Sequence, residues 1–455
     1  MVVNKYICCL LLVVVGSFTG VAGASPEIQS WTTSNGARVY YVQAKELPMV
    51  DIRVVFDAGS VRDGKQPGLS KLTNGLLTEG AGKLSADDIA ERMEGVGARY
   101  GNSSLRDMAI LSMRSLTDEK LLTTALDTFE LLVTSPSFPQ KAFERERQRL
   151  LIGIKQEKQS PRTVASKAFY RKVFQGHPYA SPINGSEESV TAIKRQDLID
   201  FHNRYYVASN ALIVIVGAID KKQAGSIADK LLSKLSAGEP APAIDRVRQL
   251  QAPVVERISH PSKQSHIYVG QPGMRRGDRD YFPLYVGNHA LGGSGLVSLL
   301  SEEIREKRGL SYSVYSYFSP MREDGPFIVG LQTKNEQAEE ALKVLKETLN
   351  AYVENGITDK QLADSKKNII GGFPLRIDSN SKITEYIAMI GFYQLPLDYL
   401  DKFNARVDAV TVKDIRDAFK RRIHSDKMVT VIVGGKPRAA EPAEISDKVK
   451  QPASR

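Results

Sequence analysis

Arg305 and Tyr312 stand seven residues apart in one continuous run, Gly292 to Phe318, that reads GGSGLVSLLSEEIREKRGLSYSVYSYF. Leu296, Leu299, Leu300 and Ile304 recur at helical spacing, which predicts one apolar stripe on a helix. Gly309 sits where a left-handed C-terminal cap is wanted, so this helix should end near Arg308. Beyond it, Leu310, Tyr312 and Val314 alternate with Ser311 and Ser313, the period of a strand with one buried face. A guanidinium from the last helical turn and a phenol from the strand would then converge across a tight turn. Both donate hydrogen bonds, so the chemistry on offer is a grip on an acceptor oxygen.

Other residues that could do chemistry are less well placed. Gly292, Gly293, Ser294 and Gly295 lack the Gly-Lys-Ser/Thr ending of a phosphate cradle and the second Gly of a nucleophile elbow. His177, His202, His260, His266, His289 and His424 are scattered, and each reads as a loop or core histidine. Both cysteines, Cys8 and Cys9, fall in an N-terminal apolar segment, which leaves the remainder without disulfides or a thiol nucleophile. The net charge of +10 is diffuse. Its densest cluster, Lys420, Arg421 and Arg422, shares a helix with Asp414 and Asp417, and no aromatic residues interleave a basic stripe, so no nucleic-acid partner is expected.

The elements that must position these residues are organised as a repeat. The 455 residues, 42% hydrophobic and 25% charged, have an ordinary globular composition and are too many for one core. Val190, Ala192, Ile193, Asp197, Leu198 and Asp200 fall without a gap on Val407, Ala409, Val410, Asp414, Ile415 and Asp417, an offset of 217. The same offset carries Arg204 onto Arg421, and the apolar strand Val214 to Gly217 onto Val431 to Gly434. Two copies of one domain are expected, parted by the Pro- and Ala-bearing stretch 237–252. In the first copy, residues 51–56 read as a strand. Leu69, Leu72 and Leu76 mark a helix after Gly68, and Ser85 with Asp88 reads as a capping box opening another. Residues 102–114 read as strands and 139–158 as a helix whose inner face is Phe143, Leu150, Leu151 and Ile154. Residues 1–24 read as a secretory signal, with Lys5, the apolar run 7–15, and Ala22, Gly23 and Ala24 at the cleavage site. That run is short for a membrane span, which needs about 20 residues.

The run Ile304 to Tyr312, I-R-E-K-R-G-L-S-Y, resembles the C-terminal-half signature of the pitrilysin/insulinase family of zinc metallopeptidases. The resemblance implies that Arg305 and Tyr312 bind and polarise the scissile peptide, and that Gly292, Gly293, Ser294 and Gly295 form the glycine-rich loop that touches substrate. In catalytic members the first-half helix carries His-x-x-Glu-His, two imidazoles on one helical face holding zinc beside a Glu base. A Glu about 75 residues downstream is the third ligand. In this sequence those positions hold Lys71, Asn74 and Gly75, with Ile152 at the third-ligand position, and none of them can serve zinc.

The sequence therefore predicts an α+β protein of two homologous halves, each a largely antiparallel sheet packed with helices, forming half of a clam-shell. The expected parts are a signal at 1–24, an N-terminal peptidase-like domain at 25–236, a linker at 237–252, a C-terminal domain at 253–438 and a disordered tail at 439–455. The resemblance implies the zinc-free subunit of a heteromeric, periplasmic or secreted endopeptidase. Zinc is expected in a homologous partner carrying His-x-x-Glu-His, unfolded peptides as substrate, and no membrane span once the signal is removed. The alternative is a non-enzymatic scaffold or peptide-binding protein of the same fold; an independently active peptidase is the remote third.

Overall fold

A computed structural model of the chain describes residues 27–435; the expected signal and tail lie outside them. Eleven principal strands form two sheets. In the first half these are β1 (Gln29–Thr32), β2 (Arg38–Gln43), β3 (Met49–Phe56), β4 (Arg99–Ser104), β5 (Ala109–Leu116) and β6 (Ala211–Gly217). They lie in the order β1-β2-β6-β3-β5-β4, antiparallel except for the pair β2 and β6. The second half supplies β7 (Val254–Ile258), β8 (Gln264–Met274), β9 (Ser313–Phe318), β10 (Gly325–Lys334) and β11 (Val429–Val433), in the order β9-β10-β8-β11-β7. Here too one pair, β11 with β7, is parallel. Read from opposite ends, β2-β6-β3-β5-β4 and β7-β11-β8-β10-β9 are the same topology, so the fold is α+β with two homologous halves.

One face of each sheet carries helices of its own half. In the first half α1 (Leu69–Leu76) and the long α2 (Gln140–Glu157) pack together, and the core runs through Leu72, Leu76, Phe143 and Ile154. Leu150 and Leu151 are only half-buried, at the margin of the face the sequence predicts. The helix Ala86–Gly95 opens on the predicted capping box of Ser85 and Asp88. In the second half α4 (Tyr281–Asn288) occupies the place of α1.

The other face is covered by exchange. Helix α3 (Pro161–Val173), from the first half, lies on the second sheet and buries Ala165, Ala168, Phe169 and Val173 against Tyr268, Ile328, Val429 and Val431. Helix α5 (Asn380–Phe392), from the second half, lies on the first sheet and buries Ile387, Ala388 and Phe392 against Val42, Val55, Leu212 and Val214. β6 and β11 are thus buried on both faces, which is why β6 reads as an unbroken apolar run and β11 as one interrupted only by the buried Thr430, rather than as alternation. The approach is close: a Cβ at Gly270 would stand 2.8 Å from the Phe169 ring, and one at Gly391 2.6 Å from the Tyr40 ring.

Polar groups complete the seam. Asp107, buried, accepts hydrogen bonds from the Tyr179 hydroxyl (2.7 Å), the Tyr393 hydroxyl (2.9 Å) and the Arg322 backbone N–H (2.8 Å). Asp57 pairs with Arg62 of its own half at 2.9 Å and with Arg322 of the other at 2.8 Å. Burial nevertheless pushes the Asp57 carboxyl upward against the pull of both cations. Residues 237–252 carry neither helix nor strand, yet Val247 is buried and the Asp245 carbonyl lies 2.9 Å from His177 Nε2.

Two buried titratable groups give the fold opposite pH dependences. His202 stacks on Tyr206 with ring centroids 4.7 Å apart, its Nε2 has no partner among the described residues, and burial pushes its pKa down to about 4. Below the ordinary histidine value the unfolded chain takes up a proton that the folded chain refuses, so this contribution is lost as pH falls from 6.5 to 4. Asp63 accepts the Gly68 and Ser70 N–H groups at the start of α1, and burial raises its pKa to about 7, which favours the fold as pH falls. His202→Phe keeps the ring and removes the titration. Stability curves of wild type and variant should run parallel above pH 6.5 and separate as pH falls toward 4, wild type losing at most about 3 kcal/mol relative to the variant across that window. Curves that stay parallel down to pH 4 would show that His202 takes up its proton in the fold.

Candidate functional site

Helix α4 does not stop at Asn288 but continues as a π-wound turn, His289–Gly293, and the chain then makes a 3₁₀ turn at Gly295–Val297. A Cβ on Gly292 would come within 2.5 Å of the Ser316 backbone nitrogen, so glycine is what lets this turn lie on β9. Gly295 has φ +65° and open space around it. Ser294 joins the two turns.

The predicted helix is shorter than the apolar stripe suggests. Leu296 and Val297 are 62% and 85% exposed, in the 3₁₀ turn, and only Leu300 and Ile304 are fully buried. The reason is Ser298, in extended backbone, whose hydroxyl donates to the Gly295 carbonyl at 2.6 Å and accepts from the Ser301 N–H at 3.4 Å. A serine N-cap at 298 was the readable signal that the stripe obscures. The helix is π-wound over Ser301–Glu306, and Gly309 turns left-handed with φ +63°, as expected. Two π turns thus flank the glycine loop, a winding rare elsewhere and frequent at functional sites.

Tyr312 is not on the inner face of the strand, which begins one residue later. Leu310 and Ser311 are both buried, and the Ser311 hydroxyl donates to the Gln332 and Ser313 carbonyls at 2.7 and 2.8 Å. That double attachment turns Tyr312 outward: it is 84% exposed, and its phenol has no hydrogen-bond partner among the described residues. The Ser-Tyr-Ser alternation hides this because a buried serine there serves the backbone rather than solvent.

Arg305 does lie against the turn. Its Nη1 approaches the Tyr312 carbonyl at 3.5 Å, and its Nε lies 3.3 Å from Glu306. The neighbouring cations are otherwise engaged: Lys307 and Arg308 both bind Glu303, at 2.6 and 2.7 Å, and hold its carboxyl below the usual range. Arg305 is therefore the guanidinium of this run directed to Tyr312, and the structure brings the pair together through the Tyr312 backbone.

On the first half, Lys71 and Gly75 lie half-exposed on α1, and Ile152, on the adjacent α2, is 57% exposed. Asn74 is buried, its Nδ2 3.3 Å from the Tyr206 hydroxyl and 3.4 Å from the Ile110 carbonyl. These four residues offer no anionic or imidazole ligand, so zinc does not fit here. Among the described residues no three His, Cys, Asp or Glu side chains gather as a metal site, and no helix is long and apolar enough to cross a membrane.

Residues 38–187 match the family model described as Insulinase (Peptidase family M16), and residues 192–369 match that of the Peptidase M16 inactive domain. A crystal structure of a peptidase M16 inactive domain from Pseudomonas fluorescens shares 37% identity over 90% of this chain and 98% of its own, with a TM-score of 0.87. The non-peptidase homolog YmxG of Helicobacter pylori is 26% identical over 445 residues, 96% of this chain and 99% of that protein. An uncharacterized zinc protease of Streptomyces coelicolor is 27% identical over 347 residues, 75% of each chain. With its duplicated fold, the chain belongs to the M16 family of insulinase-type peptidases.

Proposed function

We propose that this chain is the zinc-free subunit of a periplasmic, heteromeric endopeptidase, acting in trans on a homologous subunit that carries His-x-x-Glu-His. The observation that carries this reading is the outward phenol of Tyr312, without an intramolecular partner, set beside a guanidinium held on the same turn. Packing alone gives no reason for a tyrosine there. The partner supplies the zinc hydrolytic chemistry. In this chain Tyr312 and Arg305 donate toward the scissile carbonyl oxygen, where negative charge grows as the peptide is attacked, so they stabilise the transition state more than bound substrate. The open backbone at Gly295, with Gly292, Gly293 and Ser294 behind it, supports a contact with the peptide main chain. The inactive-domain match over 192–369 and the non-peptidase name of the Helicobacter relative support a chain that does not cleave alone. Residues 1–24 support export.

Two measurements test this. Metal analysis of the purified chain should find no stoichiometric zinc. Lys71→His, Gly75→His and Ile152→Glu together should restore about one zinc per chain, because a Cβ at Gly75 meets nothing within 4 Å and Ile152 already faces solvent. Zinc held by the natural chain would sink the reading. In the second, Tyr312→Phe mixed with the zinc-bearing homologue should leave association and Tm unchanged yet lower turnover by about 10²–10³. Unchanged turnover in both Tyr312→Phe and Arg305→Ala would assign the chain as a scaffold or peptide-binding protein instead.

A further inference from the structure

Away from Arg305 and Tyr312, the seam between the halves holds a half-open cavity of about 360 Å³. First-half residues 105–110 and Tyr170 wall one side, and Arg276, residues 319–321 and helix α5 the other. Its size is in the range of small-ligand pockets. Leu105, Met108, Ile183, Met321 and Met389 make an apolar lining, rich in the unbranched thioether that adapts to varied shapes.

The charges of this cavity do not balance. Arg53 pairs with Glu385 at 3.1 Å, and Asp107 is satisfied by Tyr179, Tyr393 and the Arg322 N–H. Two guanidiniums remain, one from each half, and each is fixed in the same way. Arg106 donates through Nε to the Tyr179 carbonyl at 3.3 Å and lies 3.7 Å over the Tyr170 ring. Arg276 donates through Nε to the Pro320 carbonyl at 3.2 Å and lies 5.7 Å from the Tyr393 ring centroid. Among the described residues neither meets a carboxylate, and the terminal nitrogens of both have no acceptor. Both arginines are half-buried, so their terminal nitrogens keep contact with solvent, and partial burial pulls the Arg106 group below its ordinary value. Held by Nε and by an aromatic face, each presents its terminal nitrogens as a preorganised fork for two oxygens.

We propose that this cavity binds a carboxylate carried on an apolar stem, with Arg106 and Arg276 taking the carboxylate and the methionine-lined wall taking the stem. The C-terminal residue of a peptide and a free fatty acid share that chemistry. Because the ligand would touch both halves at once, its binding would also brace the seam. The site does not depend on the zinc-free subunit reading, since no residue of the Arg305 turn lines it.

Isothermal titration of the full chain with N-acetyl-Ala-Leu, its C-terminal amide and decanoate separates the possibilities. The free acid should bind at least about tenfold more tightly than the amide, and Arg106→Gln and Arg276→Gln should each weaken it by about tenfold. Tighter binding of the dipeptide acid than of decanoate assigns the peptide C-terminus, and the reverse assigns a fatty acid. Should the arginine variants fail to fold, Ile183→Trp, which fills the cavity from a loop, should abolish binding while the protein still melts cooperatively. Equal binding of acid and amide, full binding by any folded one of these variants, or no binding up to about 10 mM would overturn the proposal.

Discussion

Each sheet of this protein is closed by a helix that belongs to the other half, and much else in the molecule follows from that exchange. A sheet with helices on one face leaves the other apolar and wet unless something covers it. Here α3 and α5 do so reciprocally, which permits strands β6 and β11 to be buried on both faces, requires glycine at 270 and 391, and draws the polar groups of both halves into one seam. Asp57, Asp107 and Arg322 sit in that seam because the exchange places them there, where each carboxylate is answered by donors from both copies.

With the packing faces committed in this way, the positions open to a ligand are mostly those left over. The first copy has α1 with its buried Asp63 anchor and inward leucines, and the positions the family resemblance assigns to zinc hold Lys71 and Gly75 on its outer side and Ile152 on the neighbouring α2. Asn74, the one buried residue among the four, serves the fold through its bond to the Tyr206 hydroxyl. The second copy keeps a turn whose inner residues, Leu310 and Ser311, are held in the core while its outer residue is left unengaged.

The repeat, the helix at Leu69–Leu76, the capping box at Ser85 and the left-handed Gly309 were legible because each is a local matter of period or cap. Leu296 was misleading, since helical spacing says which residues could share a stripe and not where a serine cap begins the helix. Tyr312 was misplaced because alternation assumes that serine faces water, whereas Ser311 bridges two strands from inside. The exchange itself could not be read at all. The apolar face of α3 is visible in Ala165, Ala168, Phe169 and Val173, but nothing local says that its floor is the strand 429–433. That Arg106 and Arg276 line one cavity was hidden for the same reason: they come from different copies, brought to it only by the seam.

The exchange also sets an order of assembly. As the chain is made from its N-terminus, β6 can pair with β2 and β3 early, but Leu212, Val214 and Val216 have no cover until residues 380–392 exist. Helix α3, complete long before, must wait for β11 before it has a surface to lie on. A nascent first half is therefore a sheet with one sticky face, the kind of intermediate that chaperones shield. Closure is mutual, so a chain truncated before α5 leaves the first sheet with one apolar face uncovered, although every residue of the first half has been made.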